Sequence, residues 1–372
     1  MFTDTYLPTV DGVVNSILNF RRELELRGHE VYIVAPGSKG SCDPKTSSPC
    51  DPKTFYCKSI PFPPYPEYKL GIPLGVTSWV RERNIDIVHS HGPGGVGLGA
   101  LWVSRRLNIP LVLTLHTLLP DFAFYLTKRP ALRKALNRYT WRYLRWYLGR
   151  SRCALVPSNL IKEELIAHSP DTRLWVVPNG VDIDRFNPGV DGSSIREKHG
   201  LEGARVVVQL GRLAREKRLE MLIEAAGRLD CKFLIVGDGP ARDYYKSLAM
   251  KEGVGRKFIF TGFVSGSDLP SYYACADAFV IPSKVEVLPT VVLEAMASGK
   301  PVAGANSRGI PELVRDGENG YLFNPDSPKE CASAIEKALN CGDPVREAAR
   351  KTAEQYSVTR STDKLIVAYE RI

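Results

Sequence analysis

The sequence contains no long hydrophobic run. No apolar stretch of the 372 residues approaches the roughly 18 residues that a membrane-spanning helix needs, and no secretory signal precedes the first motif. Hydrophobic residues still make up 44% of the chain, which is enough for a core, and the length suits two domains. We therefore expect a cytoplasmic protein that is soluble or lies peripherally on the inner face of a membrane.

A disulfide framework is also missing, because the eight cysteines are scattered. Those in apolar periodic segments, where a free thiol behaves as a small hydrophobic group, favour a reducing compartment. They are Cys153, Cys231, Cys275 and Cys331. The exception is a repeat of Cys-Asp-Pro-Lys-Thr that spaces Cys42, Cys50 and Cys57. We interpret it as a surface loop, with a metal site or a disulfide as the alternative, because its spacings match no ordinary zinc pattern.

Acidic residues are absent from residues 128–152, which hold nine Lys or Arg. Removing these nine from the 50 basic residues leaves 41, equal to the 41 acidic residues, so the net charge of +9 lies in this segment. Helical periodicity predicts one face that packs on the domain and a second, exposed basic face. The first face contains Leu132, Ala135, Leu136, Tyr139, Tyr143, Trp146 and Tyr147. The second contains Lys134, Arg138, Arg142 and Arg145, beside Trp141, Leu144 and Leu148.

Arginines mixed with exposed Trp and Leu are typical of a helix at a membrane interface, where each basic residue near an anionic surface contributes about 1 kcal/mol. We therefore expect Arg138, Trp141, Arg142 and Arg145 to contact a membrane. A solvated basic face, a protein partner and nucleic acid are the alternatives. Nucleic acid is not an expected partner, because the sequence has no nucleic-acid motif.

A metal-chelating motif is missing as well. The Asp-x-Asp word Asp182-Ile-Asp184 falls in a turn-rich stretch and not at a strand end. His89 and His91 have a spacing that can hold a metal, but no further ligand set accompanies them. We expect no metal cofactor.

Strand-like apolar runs alternate with helical patterns from end to end, which predicts an α/β fold with parallel sheets. The turn-rich stretch 177–186 predicts an interdomain linker. We expect a first domain over 1–177, completed by a C-terminal helix over 357–372, and a second domain over 178–356. Only residues 1–4 are available for a first strand, which is expected to be short or truncated. The other predicted strands lie near 31–35, 85–88, 111–115, 153–156, 205–210, 232–236, 257–261, 277–281, 302–305 and 321–323.

Glu286 and Glu294 carry the strongest chemical signal. The apolar run 278–281 predicts a buried strand that ends shortly before Glu286. Pro289 suits the first turn of a helix that holds Glu294 among apolar residues and stops at Gly299. A carboxylate in such surroundings needs a partner or a ligand, and two of them beside a helix N-terminus fit a polyol with attached phosphates. A capped helix with a salt-bridged Glu294 is the alternative.

Other polar residues lie at strand ends, where ligand sites form in α/β proteins. Arg212 and Lys217 straddle the turn after the run 206–210 and can bind a diphosphate; a solvated basic helix start is the alternative. His116 ends another strand, and a structural role is its alternative. Gly12 opens a helix where a ligand can approach backbone N–H groups, and a plain tight turn is the alternative.

Together these motifs resemble the glycosyltransferases of family 4, which are retaining enzymes of the GT-B fold. The string 283–301 is similar to their Glu-x7-Glu signature, and residues 3–12 with 27–36 are similar to the N-terminus of lipid-directed members. The resemblance runs in order, and at proper spacing, from residue 2 to about residue 358. It implies an α/β protein of two Rossmann-like, doubly wound domains that face an interdomain cleft, with the acceptor bound by the first and a nucleotide-sugar by the second.

The resemblance also implies roles for single residues in the donor site. Glu286 would hold hydroxyls of the donor sugar, with help from the N–H groups of Val287 and Leu288. Glu294 would hold the ribose. Arg212 and Lys217 would bind the pyrophosphate and offset the charge on the leaving nucleotide. Backbone at Gly12, Gly237 and Val264 would line the same site.

On the acceptor side the resemblance points to Tyr6 and His91, with His116 close to the sugar. The implied catalytic set is Glu286, His116, Arg212 and Lys217. No nucleophile or general base is named, because the leaving phosphate is thought to activate the acceptor hydroxyl. The donor would be UDP- or GDP-linked and would bind without a metal.

The expected reaction is the transfer of a hexose, with retention, to a hydroxyl of a membrane glycolipid or phospholipid head group. Residues 61–68 and the basic helix are similar to enzymes that glycosylate diacylglycerol or phosphoinositide-type lipids. Pro289 departs from the small residue of many relatives, removes one N–H donor and leaves the preferred sugar open. The alternatives are a soluble sugar or sugar-phosphate acceptor, a GT-B nucleotide-sugar epimerase, and a non-catalytic nucleotide-sugar or membrane-binding protein. The oligomeric state is not predicted.

Overall fold

The computed structural model of the protein describes residues 1–9, 11–37, 51–62, 65–117 and 129–372. The chain divides into two compact units. Unit 1 contains Met1–Pro178 and Ser361–Ile372, and unit 2 contains Asn179–Arg360.

Unit 1 is built on a mostly parallel sheet. Its strands are β1 (Ile33–Pro36), β2 (Thr54–Phe62), β3 (Tyr65–Ile72), β4 (Val88–Ser90), β5 (Leu111–Thr114), β6 (Cys153–Val156) and β7 (Leu174–Val176). Its first helices are α1 (Gly12–Leu26), α2 (Val76–Arg81), α3 (Gly95–Leu107), α4 (Pro130–Leu148) and α5 (Asn159–His168). Strands β4 to β7 pair in chain order and in parallel, β2 pairs in parallel with β1, and β3 is antiparallel to β2. The predicted strand near 85–88 therefore lies at 88–90.

The expected first strand is reduced to a single residue. Phe2 forms parallel bridges to Val34 of β1 and to Ser90 of β4, and so lies between these strands. Its N–H donates to the carbonyl of His89 at 2.7 Å, and its carbonyl accepts from the N–H of His91 at 2.8 Å. This contact positions His91 at the carboxyl end of β4.

The antiparallel pair of β2 and β3 was not predicted. β3 is the outer strand of the order β1-β2-β3, and an edge strand tolerates proline, here Pro66, because its outer N–H groups need no partner. The surface-loop interpretation is wrong at Cys57, whose side chain is buried in β2. Cys42 and Cys50 lie outside the described residues.

Unit 2 is a doubly wound Rossmann-like unit. Its strands are β8 (Val206–Leu210), β9 (Lys232–Val236), β10 (Phe258–Gly262), β11 (Ala278–Ile281), β12 (Val302–Ala305) and β13 (Gly320–Phe323). Its helices are α6 (Ser193–His199), α7 (Leu219–Ala226), α8 (Arg242–Lys251), α9 (Leu269–Ala274), α10 (Thr290–Ala297), α11 (Ile310–Leu313), α12 (Pro328–Leu339) and α13 (Asp343–Gln355), and α14 (Val358–Glu370) starts in this unit. The predicted strands of this half are confirmed with small shifts at their ends.

The strand order of unit 2 decides where a ligand can bind. All six strands are parallel, and their order is β10-β9-β8-β11-β12-β13. The order reverses between β8 and β11, so the loops after these two strands diverge to opposite faces and leave a crevice at their carboxyl ends. The sheet itself is the core of the unit, since the side chains of β11 and β12 are buried throughout.

The chain passes from unit 2 back to unit 1 within α14, between Arg360 and Ser361, and not before this helix. Val181 donates its N–H to the carbonyl of Tyr356, and Val358 donates to the carbonyl of Val181 at 3.0 Å. These bonds hold the first turn of α14 to unit 2, and the remainder of α14 belongs to unit 1. The predicted boundary at 356/357 falls just before this helix.

The basic helix is present as α4, but the predicted assignment of its faces is only partly right. Tyr147 is buried as expected, whereas several other residues do not follow the prediction. Trp141 is only 7% exposed and Leu144 is fully buried, whereas Tyr139 is 67% exposed. Leu132 and Trp146, which were expected to pack on the domain, are exposed as well. Trp141 therefore does not lie on an outer face of the helix.

Contacts of α4 explain this rotation. The hydroxyl groups of Tyr143 and Tyr147 donate to the carbonyls of Pro93 and Gly97 at the start of α3. The ring of Trp141 stacks on His168 at a centroid distance of 3.8 Å. Both contacts turn the stripe that contains Leu144 inwards. Arg138, Arg142 and Arg145 are exposed, in agreement with the prediction, and so is Lys134. No helix in the described part of the chain is long and apolar enough to cross a membrane.

Candidate functional site

Two loops of unit 2 meet at the point where the strand order reverses. The loop after β8 carries Arg212 and Lys217, and the loop after β11 carries Glu286. Lys217 Nζ donates to Glu286 Oε1 at 2.6 Å, so the predicted residues from two distant segments form one ion pair. The Glu286 side chain is 14% exposed and that of Lys217 is 28% exposed. Arg212 is partly exposed on the same loop as Lys217.

Lys217 keeps Glu286 ionised. Burial alone raises the pKa of this carboxyl, but the positive charge and hydrogen bond of Lys217, with a further bond from Ser283, outweigh it and leave the pKa below its ordinary value. A glutamate that stays ionised and fixed can accept hydrogen bonds from hydroxyl groups of a ligand. A Lys ammonium has three donors and can serve Glu286 and a second anion at once.

Backbone contacts fix the Glu286 loop, and sequence reasoning missed them. Gly309, at the start of α11, donates its N–H to the carbonyl of Glu286 at 2.9 Å. A Cβ at Gly309 would overlap the carbonyl oxygen of Val287, so this position requires glycine for space. Ser307 donates from Oγ to the carbonyl of Lys284 at 3.0 Å. The segment 307–309 therefore acts as the support of the loop.

Glu294 lies in the second turn of α10 and accepts a hydrogen bond from a tyrosine. Tyr273, which is fully buried, donates its hydroxyl to Glu294 Oε2 at 2.7 Å. Burial raises the pKa of Glu294 to about 7, and the hydrogen bond of Tyr273 and the charge of Arg185 only partly offset this effect. One carboxylate oxygen is thus engaged by Tyr273, and the other is available for a ligand whose hydroxyls compensate the cost of its charge.

Pro289 was expected in the first turn of α10, but it lies just before this helix. It has extended backbone angles, and no side chain of the described residues caps the helix there. Val292 donates its N–H to the Pro289 carbonyl at 3.1 Å. The N-terminus of α10 therefore points its positive dipole end into the region of Glu286, Val287 and Leu288, which favours an anionic ligand.

Glycine turns form the floor of the same edge of the sheet. The N–H of Gly211 donates to the carbonyl of Val236 at 3.0 Å, and that of Gly237 donates to the carbonyl of Gly262 at 3.0 Å. A Cβ at Gly237, whose φ is +128°, would overlap the carbonyl oxygen of Gly211. Backbone hydrogen bonds thus join the ends of β8, β9 and β10. Val264, which follows β10, is partly buried.

Unit 1 has its own cluster of polar groups at strand ends. His91 Nδ1 and His116 Nε2 are 3.0 Å apart, and the ring of His91 also stacks on that of His89 at 4.2 Å. His89 Nε2 contacts Thr114 Oγ1 and its Nδ1 contacts the hydroxyl of Tyr369 of α14, both at 2.6 Å. All three histidines are buried. The structure therefore joins His91, which was predicted on the acceptor side, and His116, which was predicted close to the sugar.

The other two predicted site residues of unit 1, Tyr6 and Gly12, are less available to a ligand. Tyr6 is buried in the core of the unit, and its hydroxyl bonds with Arg21. Gly12 begins α1 with open space around it, but Asp11 already accepts hydrogen bonds from the N–H groups of Val13 and Val14. The N-terminus of α1 thus has part of its donor capacity in use.

A buried carboxylate in unit 1 was missed. Asp4 accepts hydrogen bonds from the N–H groups of Gly94, at 3.1 Å, and Val96, at 2.8 Å. Burial raises the pKa of Asp4, although these bonds act in the opposite direction. Asp4 occupies the N-terminus of α3, and a Cβ at Gly94 would overlap it. Across the described residues, no group of three or more His, Cys, Asp or Glu side chains is placed to hold a metal ion.

The architecture matches a known class. A solved structure of Anabaena HepE in complex with UDP-glucose covers 100% of this chain and 100% of its own, with a TM-score of 0.77 and 20% identity. The fold is that of the GT-B glycosyltransferases, and the predicted pair of Rossmann-like units is confirmed.

Sequence comparison identifies the family. Residues 10–185 match the model described as Glycosyltransferase Family 4, and residues 191–356 match the one described as Glycosyl transferases group 1. The sulfoquinovosyl transferase of Arabidopsis thaliana is 32% identical over 96% of this chain and 70% of its own length. A GDP-mannose-dependent alpha-mannosyltransferase of Corynebacterium glutamicum is 32% identical over 89% and 78%. The alpha-monoglucosyldiacylglycerol synthase of Streptococcus pneumoniae is 27% identical over 91% and 77%. The chain belongs to glycosyltransferase family 4, as its motifs indicated.

The support of the Glu286 loop can be tested with glycine variants. In Gly309→Ala, the added methyl group has to displace the Val287 carbonyl, so Glu286 moves and the transfer rate falls by roughly 10- to 100-fold. Gly227→Ala is the control, because its helical backbone accepts alanine and no atom lies within 4 Å of the new Cβ. Steady-state kinetics of both variants provide the measurement. Equal rates in the two variants would contradict the role of Gly309.

The pKa of Glu294 predicts a pH dependence of stability. Folding raises this pKa from 4.5 to about 7, so the native state binds more protons than the unfolded state between these values, and the free energy of unfolding falls as the pH rises through this window. Glu294→Gln removes the titration. It should be more stable than the wild type at pH 8, by about 1 to 3 kcal/mol, yet bind a nucleoside diphosphate more weakly.

Thermal unfolding of the wild type and of Glu294→Gln at pH 5 and pH 8 measures this difference. Glu318→Gln, at an exposed position, is the control. A constant difference in stability between Glu294→Gln and the wild type at the two pH values would show that Glu294 does not titrate in this range.

Proposed function

We propose that this protein transfers a hexose, with retention of the anomeric configuration, from a UDP- or GDP-linked sugar to a hydroxyl group of a membrane glycolipid or phospholipid head group. The observation that carries the proposal is the Lys217–Glu286 ion pair at the strand-order reversal of unit 2, in front of the N-terminus of α10. It combines a cation for phosphate with a carboxylate for sugar hydroxyls, at the place where α/β proteins bind nucleotides.

Each part of the donor has a counterpart in unit 2. The diphosphate binds Lys217 and Arg212 and lies near the N-terminus of α10, so positive charge comes from side chains and a helix dipole and no metal is required. Sugar hydroxyls donate to Glu286. The ribose donates to the oxygen of Glu294 that Tyr273 leaves available. Lys217 then bridges Glu286 and the phosphate.

The chemistry follows from the state of Glu286. Because Lys217 engages this carboxylate and lowers its pKa, Glu286 holds hydroxyls and does not supply a proton. The bond between the anomeric carbon and the leaving phosphate oxygen breaks, and a bond to the acceptor oxygen forms on the same face. The acceptor proton passes to the leaving phosphate, and Lys217 and Arg212 stabilise the charge that develops there.

A lipid acceptor is supported by the relatives and by the surface of unit 1. Two relatives named above carry the names of a sulfoquinovosyl transferase and a glucosyldiacylglycerol synthase. On α4, Leu132, Tyr139 and Trp146 are exposed at intervals of seven residues, which places them along one side of the helix. The exposed arginines lie beside this apolar stripe.

Exposed apolar side chains are also present on α3. Tyr143 and Tyr147 attach α4 to the first turn of α3, and in that helix Leu98 and Trp102 are exposed one turn apart, with Trp102 at 66%. Arg105, one turn further on, is exposed as well. Apolar side chains surrounded by arginines suit the boundary between the head groups and the acyl chains of an anionic bilayer. We propose that this surface holds the enzyme peripherally on the inner face of the membrane.

Charge reversal tests the membrane surface. Replacing Arg138, Arg142 and Arg145 together by Glu should reduce sedimentation with vesicles of anionic lipid by 100-fold or more, at about 1 kcal/mol for each charge, and binding of the wild type should weaken in high salt. The control reverses three exposed lysines of unit 2 and changes the net charge equally: Lys329, Lys337 and Lys351. Equal losses in both triple variants, or binding that ignores salt, would contradict the proposed surface.

A transfer assay tests the reaction. The protein is incubated with UDP- and GDP-hexoses and a lipid extract, and the anomeric configuration of the product is determined by NMR. Glu286→Gln and Lys217→Met should each lower the rate by roughly 10²- to 10³-fold, whereas the exposed control Glu224→Gln should not. Three results would overturn the proposal: donor binding without turnover, epimerisation of the donor without an acceptor, or transfer to soluble sugars alone.

A further inference from the structure

One carboxylate connects the two loops of unit 2 that carry Lys217 and Glu286. Asp326 lies in the loop after β13 and accepts hydrogen bonds from Lys284 Nζ, at 2.6 Å, and from both terminal nitrogens of Arg218, at 3.2 Å. Arg218 directly follows Lys217 in the chain, and Lys284 precedes Glu286 by two residues. Asp326 therefore contacts a close neighbour of each member of the ion pair.

The strand order of unit 2 makes this contact possible. All six strands are parallel, so the loops after β8, β11 and β13 leave the sheet at the same, carboxyl edge. Arg218 lies in the first of these loops, Lys284 in the second and Asp326 in the third. The loop after β12 adds Ser307, whose Oγ donates to the carbonyl of Lys284 at 3.0 Å. Four strand ends thus contribute to one network.

The charges of this network depend on its single carboxylate. Arg218 and Lys284 donate to the same oxygen of Asp326. The hydrogen bonds of Lys284 and Arg218 hold the pKa of Asp326 below its ordinary value, so Asp326 stays ionised. One exposed ion pair contributes little, but several charges in a network contribute more. Without Asp326, two cations would face each other, and their repulsion would separate the loops that carry them.

The backbone at Arg218 shows that its side chain has a specific role. Arg218 has a φ of +54°, in the left-handed region that glycine prefers and that arginine rarely adopts. Its N–H donates to the carbonyl of Arg215 at 3.1 Å and so closes the turn that contains Lys217. Glycine would fit this backbone without strain but could not reach Asp326. The contact with Asp326 is therefore what an arginine adds at this position.

We infer that Asp326 is a positioning residue that holds the loops after β8 and β11 together, so that Lys217 and Glu286 stay paired at the donor site. The inference rests on the proposed function, which assigns the diphosphate to Lys217 and the sugar hydroxyls to Glu286. The side chain of Asp326 is 63% exposed and acts through Arg218 and Lys284. It thereby sets the distance between the group that binds phosphate and the group that binds sugar, on which the rate depends.

The titration of Glu286 tests the inference without any substrate. The protein is labelled with ¹³C at the glutamate carboxyl carbons, and the signal of Glu286 is identified by its absence from Glu286→Gln. In Asp326→Asn the loops separate and Lys217 withdraws, so the pKa of Glu286 should rise from its lowered wild-type value. An unchanged pKa of Glu286 in Asp326→Asn would overturn the inference.

Kinetics separate positioning from a loss of stability. In Asp326→Asn, kcat should fall roughly fivefold, the upper value for an exposed charge pair, while Tm stays close to that of the wild type. Affinity for a free nucleoside diphosphate should not fall, because the substitution removes a negative charge from the edge where the diphosphate binds. Lys284→Met and Arg218→Gly should each lower kcat by a smaller factor. Either of them combined with Asp326→Asn should lower it no further.

The control removes another exposed ion pair, at the opposite edge of the same sheet. Glu336 pairs at 3.0 Å with Arg205, which precedes β8. Glu336→Gln should leave both kcat and the pKa of Glu286 unchanged. Equal losses of kcat in Asp326→Asn and Glu336→Gln would reject the positioning role. So would a loss in Asp326→Asn that accompanies lower stability and weaker nucleotide binding.

The outcomes also distinguish this inference from the proposed function. A raised pKa of Glu286 in Asp326→Asn, in a protein that transfers no hexose, would support the positioning role and reject the proposed function. Hexose transfer at equal rates by the wild type and Asp326→Asn would support the proposed function and reject the positioning role.

Discussion

The proposed donor site of unit 2 depends on the ion pair between Lys217 and Glu286, which joins the loops that follow β8 and β11. The strand order places these two loops beside each other, and the pair holds them at the same crevice. An ion pair with both side chains mostly buried is weak evidence for stability, since the loss of water offsets much of the attraction. The pair instead prepares both side chains for a ligand. Lys217 has further N–H donors for a phosphate, and Glu286 stays ionised, so that it can accept hydrogen bonds from hydroxyl groups. Gly309 stabilises this arrangement, because its N–H donates a hydrogen bond to the backbone carbonyl of Glu286.

Glu294 shows the opposite balance. Its environment favours the neutral acid, as the pKa of about 7 indicates, although Tyr273 compensates one oxygen. With an apolar residue at this position in α10, the folded protein would be more stable. Natural proteins keep such local conflicts at functional sites, where a ligand supplies the missing partners. The two glutamates thus have different states in the absence of a ligand. Glu286 is satisfied by a cation, and Glu294 is only half satisfied.

Sequence reasoning predicted what local patterns determine and missed what distant contacts determine. Apolar runs and the residues that start and stop helices predicted the strands of unit 2. They also predicted that Glu286 lies in a loop and Glu294 in a helix. The support by Gly309 was not predictable, because the need for glycine arises from a carbonyl more than twenty residues away in the chain and leaves no local pattern. The error over Trp141 has a related cause: α4 has apolar residues all round, so its periodicity did not decide which of them pack inwards, and the contacts with α3 and His168 did. The pair of β2 and β3 was missed because proline weakens a strand pattern, whereas an edge strand such as β3 accepts it.

In the proposed donor site, the Lys217–Glu286 pair and Glu294 bind one nucleotide-sugar. A crystal structure of the protein with bound UDP- or GDP-hexose shows whether they do. We expect the diphosphate within hydrogen-bond distance of Lys217 Nζ and near the N-terminus of α10, with sugar hydroxyls on Glu286 and ribose hydroxyls on Glu294. A nucleotide-sugar bound elsewhere in unit 2, with its diphosphate away from Lys217, would contradict this site.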